Sequence, residues 1–239
     1  QPQADLQAWE EFGMPAIRGL AITAPHKSWA REQGYGISDT CQQFQAWNTL
    51  AREKQQHFGT STDGPGAWEL LKEAIQKNGG PKGKRVAILG RGGAAQAVAK
   101  TLQSEGLEVT LYCRPGHLNP QASQPFQISD QPLEISEADL LINATGTDPL
   151  KSADWPWPLE RFCGFAALEM DYSKGTTGFE SRITDKLGIP VWSGSDFFAS
   201  QARLQARIFH GIETTLEESL TLVRQIQSQR IRFQYPGGL

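Results

Sequence analysis

Two charged residues in this chain stand where a proton could be passed. Lys27 follows Thr23-Ala24-Pro25-His26, a segment in which proline fixes the backbone and disfavours regular structure. Its ammonium is therefore expected to be held in place rather than to swing on a helix face. Asp63 follows Ser61-Thr62 and precedes Gly64-Pro65, a pattern that opens a helix: Asp63 or Gly64 can cap it and Pro65 suits the first turn. A carboxylate at that end is favoured by the helix dipole. Brought together, Lys27 and Asp63 would share an ion-paired hydrogen bond in a cleft, with the ammonium facing a substrate oxygen. Hydride transfer at an oxygen-bearing carbon needs such a group, because the developing alkoxide must gain a proton and the alcohol must lose one.

The hydride carrier is foreshadowed by Gly90-Arg91-Gly92-Gly93-Ala94-Ala95, which follows the apolar run Arg85-Val86-Ala87-Ile88-Leu89 and opens a helical stretch. A G-x-G-x-x-A turn in that setting is a dinucleotide signature. Gly90 allows the tight turn, Gly92 lets the backbone approach a pyrophosphate, and Ala95 lets the helix pack on the strand. Gly93 and Ala94 start the helix whose free N–H groups face the anion. The second strand ends at Leu111-Tyr112-Cys113-Arg114, with Arg114 placed 21 residues after Gly93 and no acid nearby. An acid there would suit NAD; an arginine suits the 2′-phosphate of NADP. His117 is a further candidate for that phosphate.

These residues need a particular scaffold. After Asn78-Gly79-Gly80-Pro81, the best linker in the chain, strands and helices alternate. Strands are predicted at Arg85 to Leu89, Leu107 to Cys113, Asp139 to Ala144, Gly164 to Tyr172 and Ile189 to Trp192, with a helix from Ala94 to Glu105. That rhythm argues for α/β architecture with a doubly wound parallel sheet. Before the linker, Gln3 to Phe12 reads as the end of a helix, Gly19 to Thr23 as a short strand, and Asp63 onward as helix with Trp68, Leu71 and Ile75 on its apolar side. Asp196 to Arg232 reads as nearly continuous helix, broken near Gly211. Two domains follow: residues 1–78 with 194–239 for substrate, and 79–193, Rossmann-like, for NADP. Trp155-Pro156-Trp157-Pro158 reads as a loop.

Taken together, the motifs resemble those of the shikimate dehydrogenase family. They comprise Ile22-Thr23-Ala24-Pro25-His26-Lys27, Ala46-Trp47-Asn48-Thr49-Leu50, Ser61-Thr62-Asp63-Gly64-Pro65-Gly66, Gly90 to Ala94, Cys113-Arg114-Pro115, Asn143-Ala144-Thr145 and Gly194 to Gln201. The resemblance implies reversible, NADP-dependent reduction of 3-dehydroshikimate to shikimate, a step of aromatic amino acid biosynthesis. It implies Lys27 and Asp63 as the catalytic pair, and Thr23, Asn48, Gln201 and Tyr172 around the substrate. Ala144, Thr145 and Gly194 join the glycine turn at the cofactor. Three positions depart from the family pattern: Cys113 for Asn, Pro115 for Thr and Phe197 for Met. The family's opening strand and its serine-containing loop, which grips the substrate carboxylate, have no counterpart here, so a further segment or fusion domain is expected to supply them. An NAD-preferring quinate/shikimate dehydrogenase, or a catalytically incomplete NADP-binding fragment of a multifunctional protein, are the competing expectations.

Bulk composition narrows the rest. The 239 residues carry a net charge of -3 with 38% apolar and 21% charged residues, which gives no electrostatic reason to expect nucleic acid or an anionic membrane as partner. Small-molecule ligands are the expected partners. No run approaches the roughly 20 apolar residues of a membrane-spanning helix. Cys41, Cys113 and Cys163 are widely spaced and read as reduced thiols of a cytoplasmic protein. The four histidines lack ligand spacing, so no metal is expected.

Overall fold

The computed structural model describes residues 18–23, 26–27, 36–37, 46–53, 56–114, 116–118, 126–149, 161–172 and 178–232. The readings made at Gln3 to Phe12, at Pro25, at Cys41 and at Trp155 to Pro158 lie outside them. Among the described residues there are ten strands and five α-helices, arranged on two sheets.

The first sheet is small. It consists of β1 (Gly19–Ala21), β2 (Gly36–Ile37), β3 (Thr49–Glu53) and β4 (Gln56–Thr60), in the order β1-β3-β4-β2. β3 runs antiparallel to both β1 and β4, with Leu50 opposite Leu20 on one side and Gly59 on the other. Its ends present Asn48, just before β3, and Ser61-Thr62, just after β4, side by side.

The second sheet holds β5 (Arg85–Leu89), β6 (Glu108–Tyr112), β7 (Gln127–Ser129), β8 (Leu140–Asn143), β9 (Ala166–Glu169) and β10 (Val191–Trp192). All six are parallel, in the order β10-β9-β8-β5-β6-β7. The chain runs outward from β5 to β7 and then restarts on the other side at β8. Such a reversal leaves a crevice at the carboxyl ends of β5 and β8, the usual ligand position in doubly wound sheets. Burial on both faces explains the near-continuous apolar strands. Val86 and Ile88 face a layer with α1 (Asp63–Lys77) and α2 (Gly93–Ser104), while Ala87 and Leu89 face a layer containing Ile135, Phe179 and Ile183. Phe179 and Ile183 come from α3 (Gly178–Leu187), a helix the sequence reading did not identify.

The long C-terminal helix divides as expected into α4 (Gly194–His210) and α5 (Leu216–Arg232), with Gly211 left-handed between them. Ser193 and Asp196 form a reciprocal capping box at the start of α4. The expected apolar side of this pair is only partly covered: Phe197 is buried in the core, whereas Ile212, Leu222 and Ile226 are exposed. At α1 the expected cap is corrected. Thr62, not Asp63 or Gly64, is the N-cap, and it makes no side-chain capping bond. Asp63 is the first helical residue, and its carboxylate is taken by Lys27 and Asn48.

Candidate active site

Three backbone hydrogen bonds bring the early loops together at the edge of the first sheet. Ile22 N–H donates to the Asn48 carbonyl at 2.7 Å, Trp47 N–H to the Lys27 carbonyl at 2.9 Å, and His26 N–H to the Thr23 carbonyl at 2.9 Å. The loop carrying Lys27 is thus tied to the segment leading into β3, beside the start of α1. Lys27 Nζ lies 2.5 Å from Asp63 Oδ2, with side-chain exposures of 19% and 4%. Asp63 Oδ1 accepts from Asn48 Nδ2 at 2.8 Å. A carboxylate so enclosed requires both partners, since an unpaired charge at this depth is strongly unfavourable.

Asn48 is the hub. Its Nδ2 lies 2.8 Å from Thr62 Oγ1 and 3.1 Å from Gln201 Oε1, while its Oδ1 accepts from Thr62 N–H at 2.8 Å. Thr62 Oγ1 also donates to Gln201 Oε1 at 3.1 Å. Gln201 comes from α4, far along the chain, and can meet this cluster because α1 and α4 pack closely at Gly66. A Cβ at Gly66 would stand 3.0 Å from Gln201 Cβ. With its oxygen occupied, Gln201 keeps its amide protons for another acceptor.

Lys27, Asp63, Asn48, Gln201 and Thr23 line one cleft of about 520 Å³. Its far wall is Met170, Asp171 and Tyr172 after β9, with Phe197 and Phe198 from α4. Tyr172 is 45% exposed, and its ring lies 5.0 Å from that of Phe198. The cleft therefore offers one cation, the Asp63 and Asp171 carboxylates and the Asn48, Gln201 and Gln205 amides beside an apolar wall, a combination suited to a small hydroxylated ligand.

A second cleft of about 510 Å³ lies at the carboxyl ends of β5 and β8. Gly90, Arg91 and Gly92 form one side, and Cys113, Arg114 and His117 another. Ala144, Thr145, Thr147 and Asp148 complete it, with Ala144 lining both clefts. Gly90 has φ 107, and a Cβ there would sit 2.9 Å from the Ala144 carbonyl oxygen, so this turn requires glycine. Over Gly92 a Cβ would meet nothing within 4 Å, which leaves its backbone open to a ligand. Arg91 and Arg114 are both exposed at the rim. An open glycine backbone at a helix N-terminus with two guanidinium groups beside it fits a phosphorylated dinucleotide. The Cys113 thiol is pushed up from its ordinary pKa, chiefly by burial, with the Arg91 guanidinium pulling the other way and the Asp130 carboxylate adding to the rise. It is a protonated wall of the cleft.

Gly93, Ala94 and Gly194, expected at the cofactor, are not among the residues lining the glycine-turn cleft. Gly93 packs against Ala46 and the Lys27 stem, joining the two halves of the molecule where a methyl group would overlap Ala46. Ala94 lines the Lys27 cleft. Gly194 is buried against the Asp171 carbonyl, with its N–H donating to Glu180 Oε1 at 3.1 Å. At Gly93 and Gly194 the packing leaves no room for a side chain. Conversely, the sequence reading passed over Glu169. This fully buried carboxylate takes bonds from Asn143 Nδ2 at 3.1 and 2.9 Å and from Asp171 N–H at 2.8 Å. Asn143 in turn accepts from Thr145 N–H and Oγ1 at 3.2 and 2.7 Å, so Glu169 anchors the loop shared by both clefts. Among the described residues no group of three or more potential ligands could hold a metal ion, and no helix is long and apolar enough to cross a membrane.

The chain is 33% identical to the shikimate dehydrogenase (NADP(+)) of Thermus thermophilus over 199 residues, which are 82% of this chain and 74% of the relative. Among solved structures, the shikimate 5-dehydrogenase of Thermus thermophilus in complex with NADP(H) and shikimate superposes with a TM-score of 0.69 at 31% identity. That match covers 87% of this chain and 78% of the other. The shikimate dehydrogenase of Aquifex aeolicus shares the fold, with a TM-score of 0.76 at 24% identity over 94% of this chain and 84% of that one. No protein-family model matches the sequence.

Proposed function

The chain belongs to the shikimate dehydrogenase family, and we propose that it interconverts shikimate and 3-dehydroshikimate with NADP. The observation that carries this reading is the Lys27–Asp63 ion pair, held at 2.5 Å in a cleft that shares the Ala144 loop with the glycine-turn cleft. In this reading residues 79–193 form the cofactor domain, and 1–78 with 194–239 form the substrate domain. The solved relative with NADP(H) and shikimate supports the choice of both ligands.

When bound, NADP supplies the hydride acceptor or donor. Arg91 and Arg114 hold its 2′-phosphate and the open backbone at Gly92 receives its pyrophosphate. Asn48 and Gln201 hold hydroxyls of the substrate ring, since an amide both donates and accepts. Thr23 and Tyr172 bound the same ring. In oxidation the Lys27 ammonium first releases a proton to solvent; the carbinol carbon then gives its hydride to the nicotinamide while its hydroxyl proton passes to the neutral Lys27 amine, which restores the ammonium. In reduction Lys27 Nζ returns a proton to the developing alkoxide. Asp63 Oδ2 orients Nζ throughout and keeps the pair near neutral, and Phe197 and Phe198 limit water. A biosynthetic role of this kind places the chain in the cytoplasm.

Initial rates followed by nicotinamide absorbance test the proposal. Shikimate with NADP is expected to give the highest kcat/KM against quinate and NAD controls. Absence of nicotinamide reduction with shikimate overturns it, and a preference for NAD moves the assignment to a quinate/shikimate dehydrogenase.

A further inference from the structure

Behind the ion pair lies a chain of buried side chains that the proposed mechanism does not use. Gln205, on α4 one turn beyond Gln201, donates from Nε2 to the Asn48 carbonyl at 3.0 Å and to Thr49 Oγ1 at 3.0 Å. Thr49 Oγ1 donates to Asn48 Oδ1 at 2.8 Å. We propose that Gln205 and Thr49 are positioning residues that fix the direction of this hydrogen-bond chain, so that Asn48 presents an N–H rather than its oxygen to Asp63.

Two backbone groups leave the wiring no choice. The Asn48 carbonyl can only accept, which turns the Nε2 end of Gln205 toward it. Thr62 N–H can only donate, which turns the Oδ1 end of Asn48 toward it. Thr49 stands between these two oriented amides. Because it accepts from Gln205, its single hydroxyl proton goes to Asn48 Oδ1. Oδ1 then has two donors, and Nδ2 is directed to Asp63 Oδ1. Every group involved is less than 9% exposed, so each link polarises the next.

Removing Gln205 orphans the Asn48 carbonyl of one donor and frees the Thr49 hydroxyl to swing toward it. Asn48 Oδ1 then rests on Thr62 N–H alone, and its amide is held less firmly against Asp63 Oδ1. A looser amide lets the carboxylate on which Lys27 rests shift. The consequence falls on proton transfer rather than on nucleotide binding, because Gln205 and Thr49 lie on the substrate side of the molecule.

This inference deepens the proposed activity and rests on it for its kinetic arm. Gln205→Ala and Thr49→Val are each expected to lower kcat for shikimate oxidation about tenfold, with KM for NADP within about twofold. The double variant is expected to lose about the same tenfold, because both residues act through one link. Thr49→Ser restores most of the loss by returning the hydroxyl. Gln205→Glu falls at least as far as Gln205→Ala, since a carboxylate reverses the chain. A double variant whose loss is the product of the two singles, or losses confined to KM, overturns the proposal. A second arm needs no turnover. The Asn48 side-chain amide pair in a proton–nitrogen spectrum, assigned by its loss in Asn48→Ala, should move and exchange faster in Thr49→Val but not in Thr49→Ser. An unmoved pair overturns the proposal. If the unaltered chain does not oxidise shikimate, the activity falls and this spectrum alone decides the wiring. If Gln205→Ala fails to fold, the two Thr49 variants carry the same comparison.

Discussion

Gly66→Ala is a single added methyl group whose effect follows from the packing of α1 on α4. The new Cβ would stand 3.0 Å from Gln201 Cβ, 3.0 Å from its backbone nitrogen and 3.1 Å from its Cα. Carbon contacts relax at about 3.5–4.0 Å, so α4 must retreat by roughly 0.5–1 Å at Gln201. The retreat also stretches the 2.9 Å bond from Ser200 Oγ to the Gly66 carbonyl. Overpacking of this kind costs about 1–3 kcal/mol, while replacing glycine by alanine inside a helix returns about 1 kcal/mol. The net loss is about 0–2 kcal/mol, which for a chain this long lowers Tm by roughly 0–8 °C. Stability is therefore a weak readout and kinetics a strong one. A shift near 1 Å at a substrate-positioning amide is expected to reduce kcat/KM for shikimate on the order of 10–100-fold, with KM for NADP within about twofold. Steady-state kinetics with each ligand varied in turn, alongside thermal melts, separates these effects. Unchanged kcat/KM for shikimate, or an equal loss on the NADP side, would refute the reasoning.

Other consequences concern the cofactor cleft and the sheet. Arg114→Ala removes a charge-assisted contact worth about 1.5–3 kcal/mol, so KM for NADP should rise at least about tenfold while KM for NAD moves less than twofold; equal changes would show that Arg114 does not read the phosphate. Glu169→Gln leaves one acceptor for three donor contacts from Asn143 and Asp171, loosening the loop at Ala144 and Thr145, and a roughly three- to tenfold rise in KM for NADP is expected. Unaltered cofactor kinetics would count against the anchor. Burial, with the Glu134 and Glu137 carboxylates, pushes the Tyr112 phenol from 10.0 up to about 12. Its folded value is raised, so its contribution to stability is complete below pH 10 and is lost as pH rises toward 12. Denaturant unfolding of Tyr112→Phe between pH 9 and 12 should show a shallower alkaline decline than the unaltered chain, and superimposable curves would contradict this.

The doubly wound sheet could be read in advance because β5, β6 and β8 are short apolar runs punctuated by glycine turns, as burial on both faces demands. The antiparallel sheet could not. Thr49-Leu50-Ala51-Arg52-Glu53 and Gln56-His57-Phe58-Gly59-Thr60 lack clean alternation, and their pairing is set by partners in the other strand rather than by their own residues. β7 is three residues long and carries no signal of its own. At the site, Lys27 and Asp63 could be anticipated through the motifs that resemble the family, since a lysine taken alone reads as a surface charge. Gln205 and Glu169 could not: a glutamine on a helix and an acid at a strand end both read as surface, and only long-range packing buries them. Gly93 shows the same limit. Local pattern places it in the glycine turn but cannot show that the fold also sets it against Ala46, which leads into a different sheet.

The central claim is that Lys27 passes the proton while NADP passes the hydride. The most direct measurement is kcat for shikimate oxidation by Lys27→Ala, with NADP affinity measured in parallel by calorimetry. Loss of a positioned proton-transfer group is expected to reduce kcat about 10²–10⁴-fold, with NADP affinity within about twofold. A kcat within about threefold of the unaltered chain would contradict the assignment.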